Sequence, residues 1–296
     1  MAPDPGGGSY RGRLYIFIAG VVLSSGGLVV RQIEAADSWQ ILFYRSVTQA
    51  VLLLAFLAFR DGTALAATFR QAGRFGLAGG LALGLATTGF VLSVTHTTVA
   101  NTLFLLSASP LAAALLGWLL IRERVRRRTW LAMGAAAIGI LVMIGDGLVA
   151  GDLFGHSMAL MAVLGIAAFT VMLRWKPEVD MLTAVVLAGI FSALAAALAS
   201  GGGLSVPPGD LAWCVLFGVV IVLGLRLYTA GGRQVPAAET ALLSLGEVVL
   251  GPIWVWLVVG EQASLLTLVG GAVVLVAVVA QILSGGRPRR LAAPLE

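Results

Sequence analysis

Apolar residues run along this chain in long unbroken stretches separated by short polar links. A helix needs roughly 20 apolar residues to cross about 30 Å of hydrocarbon. Ten stretches fit: 14–30, 38–59, 75–94, 99–121, 129–145, 155–173, 181–199, 211–231, 237–258 and 264–284. Their hydrophobicity is continuous rather than alternating, which predicts helices and not the strands of a barrel. The narrowest separation lies between the third and fourth stretches, where only Thr95, His96, Thr97 and Thr98 intervene. The fold class expected is all-α integral membrane with ten transmembrane helices.

Composition agrees. Of 296 residues, 59% are hydrophobic and 11% charged, too little charge to cover a soluble domain, which uses about 25%. Charge placement then orients the chain. With the N-terminus inside, 16 of the 19 Lys and Arg residues fall in inside segments, including the cluster Arg122, Arg124, Arg126, Arg127 and Arg128. Arg31 alone falls outside, and Arg45 and Arg226 fall within spans. Cytoplasmic loops carry such an excess, so both termini are expected in the cytoplasm. That distribution also explains the net charge of +5 without nucleic acid as a partner. Trp39, Trp118, Trp130, Trp175, Trp213, Trp254 and Trp256 lie near span ends, as in an aromatic belt at the membrane surface. The Pro/Gly-rich residues 1–8 read as an unstructured tail, with no cleavable signal peptide evident.

The chain also repeats itself. Shifted by 138 positions, Ala100, Thr102, Leu105, Trp118, Leu119 and Glu123 meet Ala238, Thr240, Leu243, Trp256, Leu257 and Glu261. A shift of 143 pairs Gly12, Ala19 and Arg31 with Gly155, Ala162 and Arg174. The halves are 1–147 and 148–296. Each holds five spans, an odd number, so the second enters the membrane from the opposite side. Glu123 sits in the arginine-rich loop and Glu261 in a loop without cations, which assigns them to opposite faces. Two inverted five-helix repeats are an architecture of secondary transporters.

The segment 99–123 and its copy 236–261, each ending in a small residue, Trp, a leucine-led apolar pair and Glu, resemble the paired EamA segments of the drug/metabolite transporter superfamily. The likeness covers roughly 14–284 and is nearest to the YddG-type exporters of aromatic amino acids. It implies ten spans and export of a small molecule. It also implies a central cavity between spans one to four and six to nine, with five and ten peripheral. One departure is Gly246-Glu247-Val248 in the second half, where the first half has Ser109-Pro110; Pro252 follows one turn later.

Candidate chemistry is sparse. Glu247 falls roughly 16 Å into its span, near the midplane. There it serves as a proton-coupling or substrate-ammonium group, or as a protonated structural carboxyl, since a bare charge at that depth costs about 3 kcal/mol. Arg45, about two turns from the outer end of its span, suits a substrate carboxylate or a clamp between helices. Arg226 is close enough to the inner surface to snorkel, and Tyr228 beside it is a belt, packing or pocket residue. His96 lies at the outer turn, as a proton sensor or a solvated loop residue, and His156 reads as interfacial. Asn101, Phe104, Thr240 and Ser244 offer polar or aromatic contacts on spans assigned to the cavity. Glu239 follows Pro236 as a helix-start signal. Gly134, Gly139, Gly145, Gly270 and Gly271 permit close helix contacts, inside the monomer or across a homodimer seam.

One cysteine, Cys214, builds neither a disulfide nor a metal cluster. No GxxxxGK[ST], GxSxG or HExxH pattern occurs, so no cofactor, metal or enzymatic activity is expected. The reading is a carrier exporting amino acids, aromatic ones among them, or related metabolites across a bacterial inner membrane. Drug or cation efflux, a passive channel and an intramembrane enzyme are the alternatives. A topology reporter fused after Glu296 is expected to read cytoplasmic and one within 146–154 external; reports from the same side would break the span count.

Overall fold

The structure, a computed structural model, describes residues 10–285 apart from 123–124, 126, 151, 176–178, 233 and 236. Side chains of 146–150, 174, 229, 232, 237–242 and 284–285 are likewise not described. The expected tail, the repeat glutamate Glu123 and the side chains of Glu239 and Thr240 therefore lie outside the described residues.

The described chain is helical and contains no strand. Its helices are α1 (Tyr10–Val30), α2 (Ser38–Asp61), α3 (Leu65–His96), α4 (Val99–Leu106), α5 (Ser109–Ile121), α6 (Arg127–Ala150), α7 (Leu153–Trp175), α8 (Leu182–Ala199), α9 (Pro208–Gly232), α10 (Ala237–Val259) and α11 (Leu265–Gly285). Each apolar stretch of the sequence is helical over most of its length. Eight helical runs are long and apolar enough to cross a membrane, with a shorter apolar run at Leu243–Val259. One of the eight, Ser38–His96, has 59 residues. At 1.5 Å per residue that is about 90 Å, far beyond one bilayer. Gly62 and Gly73 interrupt it with φ of 54° and 49° and extended ψ. Only glycine reaches that region without strain, so these two residues divide α2 from the apolar part of α3.

Local chemistry explains other boundaries. The Asp37 carboxylate accepts from the Trp39 and Gln40 amides while the Gln40 side chain accepts from the Asp37 amide, a capping box that starts α2. Pro110 lacks the N–H that would reach the carbonyl four residues back, and its ring crowds that carbonyl. The helix accordingly breaks between α4 and α5. Ala108 and Leu111 donate over three residues instead, to Leu105 and Ala108, and the Ser107 hydroxyl donates to Phe104 O at 2.6 Å. The proline of the second half makes no such break: α10 runs through Pro252.

The helices pack closely where small residues meet. α1 lies against α9 and α10, α2 against α8 and α9, α3 against α7 and α8, α4 and α5 against α7, and α6 against α11. A Cβ added to Gly89 of α3 would sit 2.5 Å from Met158 O of α7, and one on Gly165 of α7 would sit 2.5 Å from Ala82 O of α3. Gly139 of α6 and Gly270 of α11 face one another in the same way, each 2.6 Å from the other's carbonyl oxygen. Those two glycines are therefore used inside the monomer, whereas Gly134 and Gly145 face open space. Without a hydrophobic drive between helices in lipid, such contacts supply dispersion that only small residues permit.

The outward faces carry Leu131, Leu141, Leu198, Leu257 and Val276, all exposed by more than half, a surface that water would not tolerate and lipid does. Gly139→Leu is expected to wedge α6 from α11 and destabilise the fold by about 1–3 kcal/mol, while Gly134→Leu is expected to be close to neutral. Thermal unfolding in detergent distinguishes the two.

Candidate functional site

The central bundle holds a stripe of polar residues on one face of α2. Arg45, Ser46 and Gln49 are all buried, between Leu42 and Leu53. The spacing of four residues sets Arg45 one turn above Gln49. Arg45 Nη2 donates to Gln49 Oε1 at 3.0 Å, and Gln49 Nε2 donates to Val185 O of α8 at 3.2 Å. The guanidinium carbon lies 5.1 Å from the centre of the Phe217 ring of α9, a cation–π distance. Phe217 in turn meets Phe90 of α3, with ring centres 6.4 Å apart, and closes over Gly26 of α1. Arg45 Nε and Nη1 and the Ser46 hydroxyl are buried without a partner.

Leaving a buried donor unpaired costs about 1–3 kcal/mol, more for a charged group. A clamp between helices would pair this arginine with a carboxylate of another helix. The structure instead gives it a glutamine of its own helix and an aromatic face, leaving donors free for an anion.

A second cluster joins α9 to α10. Ser244 and Glu247 both lie within electrostatic reach of Tyr228. All three are half-buried. The Glu247 main chain borders Gly20 of α1. Three residues picked separately from the sequence are thus neighbours. No ion pair joins Glu247 to Arg45, whose bonded partner is Gln49. Arg226 stacks its guanidinium 3.6 Å from the centre of the Phe56 ring.

The remaining candidates lie toward the end of the bundle that holds the α3–α4 turn. Asn101 is buried and engaged: its amide donates to Thr97 Oγ1 at 3.0 Å and its oxygen accepts from Thr267 Oγ1 at 2.6 Å. Phe104 is buried against Gly271 of α11. His96 ends α3, exposed, with Nδ1 2.8 Å from Leu92 O and its ring edge-on to Phe154. His156, expected at an interface, is fully buried; Nδ1 meets Asp152 O at 2.9 Å and Nε2 has no partner.

Sequence reasoning passed over Ser46, Gln49 and Phe217, which look like ordinary residues of an apolar span. It also passed over the pairing of Arg31 with Glu261 at 2.5 Å. A signal for that pair existed, because Arg31 is the one cation in the segments assigned to the outside.

A multi-pass helical membrane protein with buried polar groups inside its bundle is what the geometry defines. Comparison with known proteins adds the rest. The model of the EamA-like transporter family matches residues 10–145, a little under half of the chain, so that stretch is similar to EamA-like transporters. That family implies membrane transport of small molecules and is consistent with the chain not being an enzyme. No curated protein matches the sequence. Among solved structures, one titled only as the crystal structure of a protein aligns over 94% of this chain and 99% of its own, with a TM-score of 0.64 at 17% identity. A likeness at that identity establishes a shared fold.

Arg45→Met is expected to raise the thermal unfolding midpoint, corresponding to about 1–3 kcal/mol, because it removes an under-satisfied buried charge. Asn101→Leu is expected to lower it by a similar amount, since Thr267 and Thr97 lose their partner. Opposite signs in one thermal assay mark Arg45 as held against stability and Asn101 as held for it.

Proposed function

We propose that the chain is a secondary carrier that exports amino acids, aromatic ones among them, or related small metabolites across a bacterial inner membrane. On this reading it has ten spans, with α4 and α5 forming one of them, both termini cytoplasmic, and two inverted five-helix halves, 1–147 and 148–296, that exchange conformations to give alternating access. The observation that carries it is the pairing of helix contacts. If the halves correspond, α1 maps to α7, α2 to α8, α3 to α9, α4 with α5 to α10, and α6 to α11. The contact of α1 with α9 then has its counterpart in α7 with α3. Likewise α1 with α10 answers to α7 with α4 and α5, and α2 with α9 to α8 with α3. The contacts of α2 with α8 and α6 with α11 map onto themselves. Such pairing is what a two-fold relation between halves requires.

The unpaired nitrogens of Arg45 support a carboxylate-bearing substrate, with Phe217 and Phe90 offering aromatic faces beside it. Glu247 with Tyr228 supplies the opposite charge, for an ammonium or a coupled proton. His96, Asn101 and Phe104 remain part of this proposal only as groups around the outer end of the path. The second reading, efflux of cationic drugs, draws on the same Glu247 and Tyr228, because a carboxylate beside an aromatic ring suits a cation. The bilayer is the standing partner, and a homodimer seam along Gly134 and Gly145 accompanies the proposal.

Counterflow in proteoliposomes across the common amino acids tests the assignment. A zwitterion held by both charges loses about 1–3 kcal/mol when one is removed, roughly tenfold in affinity. Arg45→Gln and Glu247→Gln are each expected to weaken uptake by about that factor. A cation carrier would respond to Glu247→Gln alone. Parental transport by both variants from pH 5.5 to 8 would reject the charged site and leave recognition to apolar contact.

A further inference from the structure

The end of the bundle opposite the arginine-rich loop is tied shut by two side chains. Arg31 follows the last residue of α1. Its Nε donates to Glu261 Oε2 at 2.5 Å, its Nη1 to Val94 O at 2.8 Å and its Nη2 to Thr97 O at 2.8 Å. Glu261 Oε1 accepts the Val99 amide at 2.7 Å. One arginine therefore holds the last carbonyls of α3, and one glutamate holds the first amide of α4, where the helix charges favour each. Four chain segments meet on this one ion pair: the end of α1, the end of α3, the start of α4 and the link between α10 and α11.

We propose that Arg31 and Glu261 are the latch of an outer gate, positioning residues whose separation opens the bundle to the outside; this rests on the reading of the chain as an alternating-access carrier. Three features make the pair a latch. Its side chains are 21% and 18% exposed, so water replaces either partner as they part, which a fully buried pair would not allow. Every other bond of the latch goes to main-chain atoms, so the ion pair alone links the α1 and α3 ends held by Arg31 to the α4 start and the α10–α11 link held by Glu261. Gly260, immediately before Glu261, has φ 75° and supplies a pivot where an L side chain would resist.

Beside the latch lies a polar pocket of about 270 Å³, lined by Arg31, Asp37, Ser38 and Thr95 with Val30, Ile33, Ala36 and Ile41. That volume is the exit vestibule of the proposal. Behind the latch, Val94 and Val99 are almost completely buried and form the plug that moves when it opens. Thr97 extends the connection, donating to Asp152 Oδ2 at the start of α7 at 3.0 Å.

The experiment reads accessibility, which needs no known substrate. In a Cys214→Ala background, Ala100→Cys places a thiol at a buried position in α4, one residue beyond Val99. Labelling by a membrane-impermeant maleimide from the outside is expected to accelerate in Arg31→Gln and in Glu261→Gln by about two- to fivefold, as loss of a partly exposed charge pair shifts an opening equilibrium. Ala196→Cys, buried near the outer end of α8, reports general loosening. A parallel rise there, or rates within twofold of the parent at Ala100→Cys, overturns the latch.

A second arm uses Arg31→Cys with Glu261→Cys. Bridging that pair with a short, reducible bis-methanethiosulfonate cross-linker is expected to stop counterflow, and reductant to restore it; transport that continues while the bridge is closed also overturns the latch. If no amino acid is transported by the parent, the amino-acid reading fails while the labelling result still decides the latch.

Discussion

Water is missing from around the main chain, and almost everything else in this fold follows from that. An amide or carbonyl in hydrocarbon has no solvent to bond, so each must find its partner inside the segment. Helices do this along their length, which is why every apolar stretch of the sequence became one. Where the pattern breaks, it breaks with compensation. At Pro110 the missing donor is answered by three-residue bonds and by the Ser107 hydroxyl. At Gly62 and Gly73 the turn is made by residues that tolerate positive φ.

The same constraint makes each buried polar side chain informative. Asn101 meets it fully, bonded on both faces of its amide, and acts as a structural tie. Arg45 and Ser46 meet it incompletely. Apolar residues there would leave no buried donor unpaired. Arg31 and Glu261 meet it completely, but only with one another and with main-chain atoms of neighbouring helices. Their satisfaction depends on one arrangement of that end of the bundle, which ties an electrostatic contact to a conformation.

Much of this was legible in the linear pattern. Helix positions depend on local hydrophobicity, which is a property of contiguous residues. Tyr228, Ser244 and Glu247 were each marked by polarity inside an apolar span, and they prove to be neighbours across α9 and α10. Gly139 and Gly270 were marked as packing residues, and they pack on one another. The fate of Pro252 was not legible. Proline weakens a helix wherever it stands, and whether the chain breaks there depends on the neighbours that receive the freed carbonyl. α4 breaks near Pro110, and α10 passes through Pro252 intact.

What the sequence determined by itself is which stretches form apolar helices and in what order, because transfer from water to hydrocarbon is a sum over local side chains. What only the tertiary structure decided is which polar groups find each other. Arg45 rests on Phe217 and Gln49 rather than on Glu247, and Arg31 meets Glu261 across 230 positions of the chain. His156 is buried rather than interfacial. Those outcomes depend on how helices cross and where glycines let backbones approach. Crossing geometry is a property of pairs of distant surfaces, and no single stretch of sequence carries it.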